Sequence, residues 1–103
     1  MTYSDPAKHY ITHCEVWVDL GEQFVLTLAG GMDAVCRFSK LADNGIPGAT
    51  KVETSFACNI DVYIPGAKLI DFIAKEYPTE LEYAKKRITE LDTEYTIVCY
   101  DIS

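Results

Sequence analysis

The stretch of residues 51–64, KVETSFACNIDVYI, constrains the fold more than any other part of the chain. Its even positions are mostly apolar, and its odd positions are mostly charged, polar or small. Because successive side chains of a strand point to opposite faces of a sheet, this alternation predicts one buried face and one solvated face. A single strand of this length would span about 45 Å, beyond an ordinary strand. We therefore predict one strand with a bend or bulge near residues 57–59.

Other periodic segments predict the remaining elements. Residues 9–20 alternate as well, and a turn at 21–23 leads to an apolar run at 24–29, which predicts an antiparallel hairpin. Residues 32–43 favour a helix that stops at Asn44-Gly45, but residues 34–40 also fit a strand. Amphipathic spacing predicts two further helices, one after Pro65-Gly66 and one after Pro78 that starts with a capping box at Thr79 and Glu82. Residues 94–102 are predicted to be the last strand.

These elements predict an α+β fold in one domain over residues 1–103, in the order β-β-α-β-α-α-β. The chain is 49% hydrophobic, which is enough for a core. Its helices can cover the apolar face of a mostly antiparallel sheet and form a second layer. The predicted core joins Phe56 and Ile60 to apolar residues of the two C-terminal helices: Leu69, Ile73, Leu81, Ala84, Ile88 and Leu91.

The formal net charge of −7 limits the class of partner. Direct binding of nucleic acid requires clustered lysines and arginines to neutralise phosphates, so we expect none. The one basic cluster, Lys85-Lys86-Arg87, stands among glutamates and is predicted to be a solvated, ion-paired helix face. An acidic surface instead favours a protein partner with a basic surface.

The chain carries no pattern of a membrane or secreted protein. It has no apolar run of about 18 residues, and its first residues lack the apolar segment of a signal peptide. We expect a soluble cytoplasmic protein without membrane contact, located in the host cell cytoplasm if a phage encodes it. Cys14, Cys36, Cys58 and Cys99 form no CxxC pair and are expected to be buried thiols.

Catalytic and metal-binding patterns are weak. The sequence has no GxSxG, HExxH, Walker A or GxGxxG motif. His9 and His13 would lie about 13 Å apart along a strand, too far to share one ion. Cys36, beside Arg37, is the least implausible nucleophile, but the sequence identifies no base for it. We expect no enzyme activity, no cofactor and no metal.

The solvated face of the predicted sheet is the candidate interaction surface. Trp17 falls there between Glu15 and Asp19, and the alternation of residues 51–64 adds acids and an aromatic residue to the same face. Aromatic anchors surrounded by charge are typical of protein interfaces. An ordinary antiparallel sheet with one solvated face would produce a similar pattern. The predicted partner-binding residues are Glu15, Trp17, Asp19, Glu53, Asp61 and Tyr63.

A small, acidic α+β domain without catalytic motifs is similar to two groups of bacterial and phage proteins. One is the anti-CRISPR proteins, many of which block nucleic-acid-binding surfaces, and the other is the immunity proteins that neutralise a toxin. The resemblance concerns size and charge and transfers no residue roles. It implies a non-catalytic inhibitor that mimics nucleic acid by placing carboxylates where phosphates bind. The alternatives are an immunity-type antitoxin, and a small enzyme or ligand-binding domain with a pocket between sheet and helices. We expect a monomer or a weak homodimer.

Overall fold

The computed structural model describes residues 14–28, 40–41, 43–55 and 59–101. Within these ranges, five strands form one antiparallel sheet in the spatial order β2-β1-β5-β4-β3. The strands are β1 (Cys14–Leu20), β2 (Gln23–Leu28), β3 (Lys51–Ser55), β4 (Asn59–Pro65) and β5 (Glu94–Asp101). The last strand of the chain, β5, is therefore the central strand of the sheet.

The helices that the structure describes from end to end lie between β4 and β5 in the chain and pack on one face of the sheet. They are α1 (Gly66–Glu76), a short 3-10 helix (Pro78–Glu80) and α2 (Leu81–Arg87). Helix α1 contacts β4 and β5, and α2 contacts β2. The predicted α+β class, with a mostly antiparallel sheet and helices on one face, is confirmed. The described elements follow the order β-β-β-β-α-α-β.

The prediction of one long strand over residues 51–64 is wrong. This stretch forms two strands, β3 and β4, that pair with each other as an antiparallel hairpin. Residues 56–58, which connect them, lie outside the described residues. The alternation did not reveal the reversal because Ser55 pairs with Asn59, an even number of positions away. Even-numbered residues of both strands therefore share one face, as they would on a single strand.

Several predictions fall on parts of the chain that the structure does not describe. Of the segment 32–43, residues 40, 41 and 43 are helical, in agreement with the favoured helix, and the others lie outside the described residues. Phe56 of the predicted core also lies outside them, as do His9 and His13. Among the cysteines, a side chain is described only for Cys99, which is a buried thiol as predicted.

The core is one cluster between the sheet and the helices. Cross-strand pairing brings Val18, Ile97 and Val62 into one row across β1, β5 and β4, and all three are fully buried. The predicted core positions Ile60, Leu69, Ile73, Ala84 and Ile88 belong to this cluster. The prediction for Leu91 is wrong, since its side chain is 49% exposed. Helix α2 ends at Arg87, so Leu91 lies in a turn and not on the buried helix face.

The predicted capping box at Thr79 and Glu82 is also wrong. Proline at position 78 begins a 3-10 turn that includes Thr79, and α2 begins only at Leu81. The N-cap residue of α2 is Glu80, which makes no capping hydrogen bond through its side chain. The backbone amide of Leu81 donates instead to the carbonyl of Pro78, so the 3-10 turn supplies the start of α2.

The loop that precedes β5 caps the N-terminus of α1. The amide of Gly66 donates to the carbonyl of Thr93, and the amide of Ala67 donates to the carbonyl of Leu91, both at 2.9 Å. These bonds satisfy helix amides that lack partners within the helix. The approach is so close that a Cβ atom on Gly66 would overlap the Glu90 carbonyl oxygen and lie 3.0 Å from the Tyr95 ring. Only glycine fits at this position.

We therefore expect Gly66→Ala to lower the free energy of unfolding by about 1–3 kcal/mol, the usual cost of overpacking a close contact. Chemical denaturation followed by circular dichroism would measure it. The matched control is Ala74→Gly on the exposed side of α1, which removes a methyl group and should cost about 1 kcal/mol through helix propensity alone. An alanine at position 66 that leaves stability unchanged would contradict the described contact.

Candidate interaction face

The sheet face opposite the helices, here called the outer face, carries all six predicted partner-binding residues. Glu15, Trp17 and Asp19 come from β1, Asp61 and Tyr63 from β4, and Glu53 from β3. The strand register assigns further described side chains to this face: Phe24, Thr27, Lys51, Glu94, Thr96, Val98 and Tyr100.

Two rows of paired residues cross the outer face. In one row, Trp17 pairs with Val98, Val98 with Asp61, and Asp61 with Glu53. In the next row, Asp19 pairs with Thr96, and Thr96 pairs with Tyr63. Because neighbouring strands are about 4.8 Å apart, Trp17 and Asp61 are separated by roughly 10 Å. The predicted residues therefore share one continuous surface.

Trp17 is held in a defined orientation on this face. Its indole Nε1 donates a hydrogen bond of 3.2 Å to Oδ2 of Asp19. Its ring lies 6.1 Å from the ring of Tyr100 at an interplanar angle of 52°, within the range of favourable aromatic pairs. The side chain is half-buried by these neighbours. Part of the indole remains available to a partner.

At the β3 edge, Glu53 is the centre of a small polar network. The hydroxyl of Tyr63 donates to Oε1 of Glu53 at 2.8 Å, and Nζ of Lys51 lies 3.0 Å from Oε2. The bond from Lys51, followed by that from Tyr63, lowers the pKa of Glu53. The same bond to Glu53 raises the pKa of the Tyr63 hydroxyl. Tyr63 is thereby oriented by its own chain.

Asp61 stands near the middle of the face with other acids around it. Partial burial is the main cause that raises its pKa, and the negative charges of Glu53 and Asp19 raise it further. Glu53 is its direct cross-strand neighbour on β3. Like charges directly opposite each other destabilise a sheet. The fold therefore holds carboxylates where they repel one another, an arrangement that an added cation would relieve.

This repulsion predicts that Asp61→Asn stabilises the protein at pH 7. Since the folded-state pKa of Asp61 is raised, the folded protein binds this proton more tightly than the unfolded chain does, and stability falls as the pH rises through the two pKa values. Asparagine is neutral at every pH. The stability gained by the substitution should therefore vanish as the pH falls below 3.8, the ordinary pKa of an aspartate carboxyl. Thermal melts from pH 3 to pH 7 would measure it, with Asp71→Asn on exposed α1 as control. The difference in melting temperature between Asp61→Asn and the wild type should be larger at pH 7 than at pH 3. An equal difference at both pH values would contradict the electrostatic explanation.

The described side chains of the outer face include five carboxylates and one ammonium group. The carboxylates belong to Glu15, Asp19, Glu53, Asp61 and Glu94, and the ammonium group belongs to Lys51. Lys51 is already paired with Glu53. Neither β1 nor β2 contains a lysine or arginine. By formal charge of the described outer-face side chains, the β1–β2 side is therefore the most negative, with the carboxylates of Glu15 and Asp19 and no base.

Two aromatic residues of this face were not among the predicted site residues. Phe24 on β2 is 59% exposed, and Tyr100 on β5 is 41% exposed. Phe24 alternates in sequence with the buried Leu26 and Leu28 and would share their face in a regular strand. A β-bulge opposite Val18 and Asp19 adds Val25 to the buried side, so Phe24 pairs with Asp19 on the outer face. No sequence signal marks this bulge, whereas the position of Tyr100 follows from the alternation of β5.

Phe24 and Trp17 line an open hollow between β1 and β2. Its volume is about 290 Å³, and its other lining residues are Glu15 and Thr27. Trp17 and Thr27 are direct cross-strand partners, so they lie side by side in the hollow. The hollow combines two aromatic side chains, a hydroxyl group and an exposed carboxylate on the most negative side of the outer face.

A second hollow lies on the helix side of the molecule. It has a volume of about 330 Å³ between α1 and residues 41–47, with Leu41, Ile46 and Phe72 among its apolar walls. Asp71 and Lys75 are among its charged lining residues. The predicted pocket of the alternative hypothesis was between the sheet and the helices, whereas this hollow lies between α1 and a preceding segment.

Among the described residues, no group of three or more histidine, cysteine, aspartate or glutamate side chains is arranged to hold a metal ion. None of the described helices has the length and apolar character needed to cross a bilayer.

No protein-family model, curated protein or solved structure matches this chain.

Proposed function

We propose that this protein is a non-catalytic inhibitor whose outer face binds the basic surface of a nucleic-acid-handling protein. The observation that carries the proposal is the composition of that face. Carboxylates and aromatic side chains share one exposed sheet surface whose described part has a single base, Lys51, already paired. Complementary charge of this kind favours a basic partner and speeds association.

The sheet offers these carboxylates at fixed positions. Cross-strand pairing sets the spacing of Asp19, Asp61 and Glu53, so little conformational entropy is lost when a partner binds. Burial, followed by repulsion from Glu53 and Asp19, raises the pKa of Asp61, and a lysine or arginine placed among these carboxylates would relieve the repulsion. Phosphate-binding grooves supply such cations, and carboxylates in the groove would exclude the nucleic acid.

The aromatic side chains would contribute the apolar part of the interface. Trp17, Phe24 and Tyr100 lie on the outer face of three adjacent strands, β1, β2 and the central strand β5. Tryptophan and tyrosine are enriched among the residues that dominate binding energies. The carboxylates select a basic partner and speed association. The aromatic side chains add affinity because their apolar surface is removed from water in the complex.

The resemblance in size and charge to anti-CRISPR proteins and immunity proteins supports the inhibitor class. Many anti-CRISPR proteins block nucleic-acid-binding surfaces, and immunity proteins neutralise a cognate toxin. We propose the same mode here, with the cytoplasm as the site of action and an immunity-type antitoxin as the close variant in which the partner is a toxin.

A small-molecule-binding domain is the competing function, and the hollow beside α1 favours it. Its apolar walls include Leu41, Ile46 and Phe72. A neutral ligand held there would bind with little dependence on salt, although three charged residues also line the hollow. Binding at the outer face would weaken steeply as ionic strength rises. The salt dependence of binding therefore separates the two functions.

The experiment is a pull-down from cell lysate with mass spectrometry, using three matched baits. The first bait is the wild type, and the second carries Glu15→Lys and Asp19→Lys on the outer face. The third carries Glu82→Lys and Asp92→Lys, which make the same charge change at exposed positions that lie outside the sheet and line neither hollow. The proposal predicts a basic nucleic-acid-binding protein retained by the first and third baits and lost from the second.

Two outcomes would overturn the proposal. One is a retained partner that the second bait holds as well as the wild type does. The other is loss of the partner from both variants, which would show that total charge matters and the outer face does not.

A further inference from the structure

We infer that the hollow between β1 and β2 receives an arginine side chain of the partner protein. The hollow is lined by Glu15, Trp17, Phe24 and Thr27. This inference rests on the proposed function, because it specifies which chemical group of the basic partner the outer face selects. It adds a discrete recognition site to a surface otherwise described by its overall charge.

The size of the hollow suits one side chain. At about 290 Å³ it lies at the lower end of the range for small-molecule sites, roughly 300–1,000 Å³. It is open to solvent along the exposed Phe24, so an incoming chain reaches it without rearrangement of the sheet. A side chain projecting from a partner surface fits this shape better than an enclosed cofactor does.

The lining matches a guanidinium group. Trp17 and Phe24 offer aromatic surfaces, which attract a cation through the negative charge of the ring face. Glu15 offers an exposed carboxylate, and among the described residues it has no ion-pair partner. A cation in the hollow can therefore contact aromatic carbon and a carboxylate at the same time.

Arginine fits this combination better than lysine does. Its guanidinium group is planar, weakly hydrated and able to stack on an aromatic ring while it forms paired hydrogen bonds to a carboxylate. A lysine ammonium group is compact and strongly hydrated, so it gains less from two aromatic neighbours. Thr27 also lines the hollow, and its hydroxyl group is able to accept a hydrogen bond.

The aromatic wall is already in position before binding. The indole of Trp17 is held by its hydrogen bond to Asp19 and by its contact with the Tyr100 ring. Neither of these two residues lines the hollow. Fixed aromatic walls reduce the entropy lost on binding. The bond to Asp19 also keeps a second carboxylate next to the indole, which increases the negative potential around the hollow.

The test uses the fact that Trp17 is the only tryptophan of the chain. The protein labelled with 5-fluorotryptophan should give one ¹⁹F resonance, which reports on the hollow directly. It would be titrated with two capped tripeptides of equal charge, Gly-Arg-Gly and Gly-Lys-Gly. We expect a saturable shift with the arginine peptide and at least about threefold weaker binding of the lysine peptide.

Two variants control for a general charge effect. Glu15→Gln and Phe24→Ala change the hollow, and both should weaken arginine-peptide binding at least about threefold while leaving the folded spectrum intact. Glu82→Gln, on the far side of the molecule, should leave it unchanged. Equal binding of both peptides, or a shift that persists in both hollow variants, would overturn the inference.

Failure of the inference and failure of the proposed function give different results. If a partner is lost on charge reversal of the outer face but keeps its affinity for Phe24→Ala, the proposed function stands and the arginine site is wrong. If the arginine peptide binds as expected but charge reversal, which includes Glu15 of the hollow, does not affect the retained partner, the hollow still binds arginine, but the inhibitor function and the assignment of that arginine to the partner are both wrong.

Discussion

Replacing Ile97 with alanine should lower the free energy of unfolding by about 2–5 kcal/mol, because it removes buried methyl groups and leaves a cavity. Ile97 is fully buried on the central strand β5, where it pairs with Val18 on one side and Val62 on the other. Neighbours on three strands limit the collapse that would fill the cavity. Denaturant unfolding at equilibrium would measure the loss.

The neighbouring residue provides the matched control. Val98 lies on the same strand but faces the outer side, where it pairs with Trp17 and Asp61. Val98→Ala should cost less than about 1 kcal/mol, since the side chain is only half-buried. If Val98→Ala proved the more damaging of the two, the assignment of core and outer faces would be inverted, since a one-residue slip moves every side chain across the sheet.

Trp17→Ala should weaken binding of the retained partner by about 2 kcal/mol or more, which corresponds to roughly 30-fold in the dissociation constant. The indole combines a large apolar area with a fixed orientation from Asp19 and Tyr100. Its loss should cost the fold only about 1 kcal/mol, because the side chain is half-buried and outside the core cluster. Calorimetric titration and a thermal melt of the same sample would separate the two effects.

Tyr83→Ala is the matched control for this prediction. Tyr83 is an aromatic residue on α2 with 56% of its surface exposed, on the helix side of the sheet. Its removal should leave the partner's affinity within about twofold of wild type. A variant at position 17 that unfolds the protein, or that binds as tightly as wild type, would show that Trp17 is structural and not an interface anchor.

The alternation of the sequence was sufficient to predict the fold class and the two faces of the sheet. It placed Glu53, Asp61 and Tyr63 together because residues at even spacing share a face. It could not show that the chain reverses between Ser55 and Asn59, since the parity of positions is the same in a hairpin and in a single strand. The number of strands was therefore wrong while the face assignments of the described residues were right.

The β-bulge in β2 marks a limit of the same pattern. Phe24 has the periodicity of a core residue. Only the bulge in its pairing with β1 places it on the outer face. The network of Lys51, Glu53 and Tyr63 likewise depends on contacts along and across strands that no single segment encodes. Pattern predicts which face a residue occupies, and register determines which neighbours it has there.

If the outer face displaces nucleic acid from a basic partner, the two should compete for that partner in solution. The partner retained in the pull-down would be bound to a fluorescent oligonucleotide and titrated with this protein while anisotropy is recorded. We predict full displacement by the wild type and by Glu82→Lys/Asp92→Lys, and at least tenfold weaker displacement by Glu15→Lys/Asp19→Lys. A partner that holds the oligonucleotide and this protein together, or equal displacement by the outer-face variant, would contradict the claim.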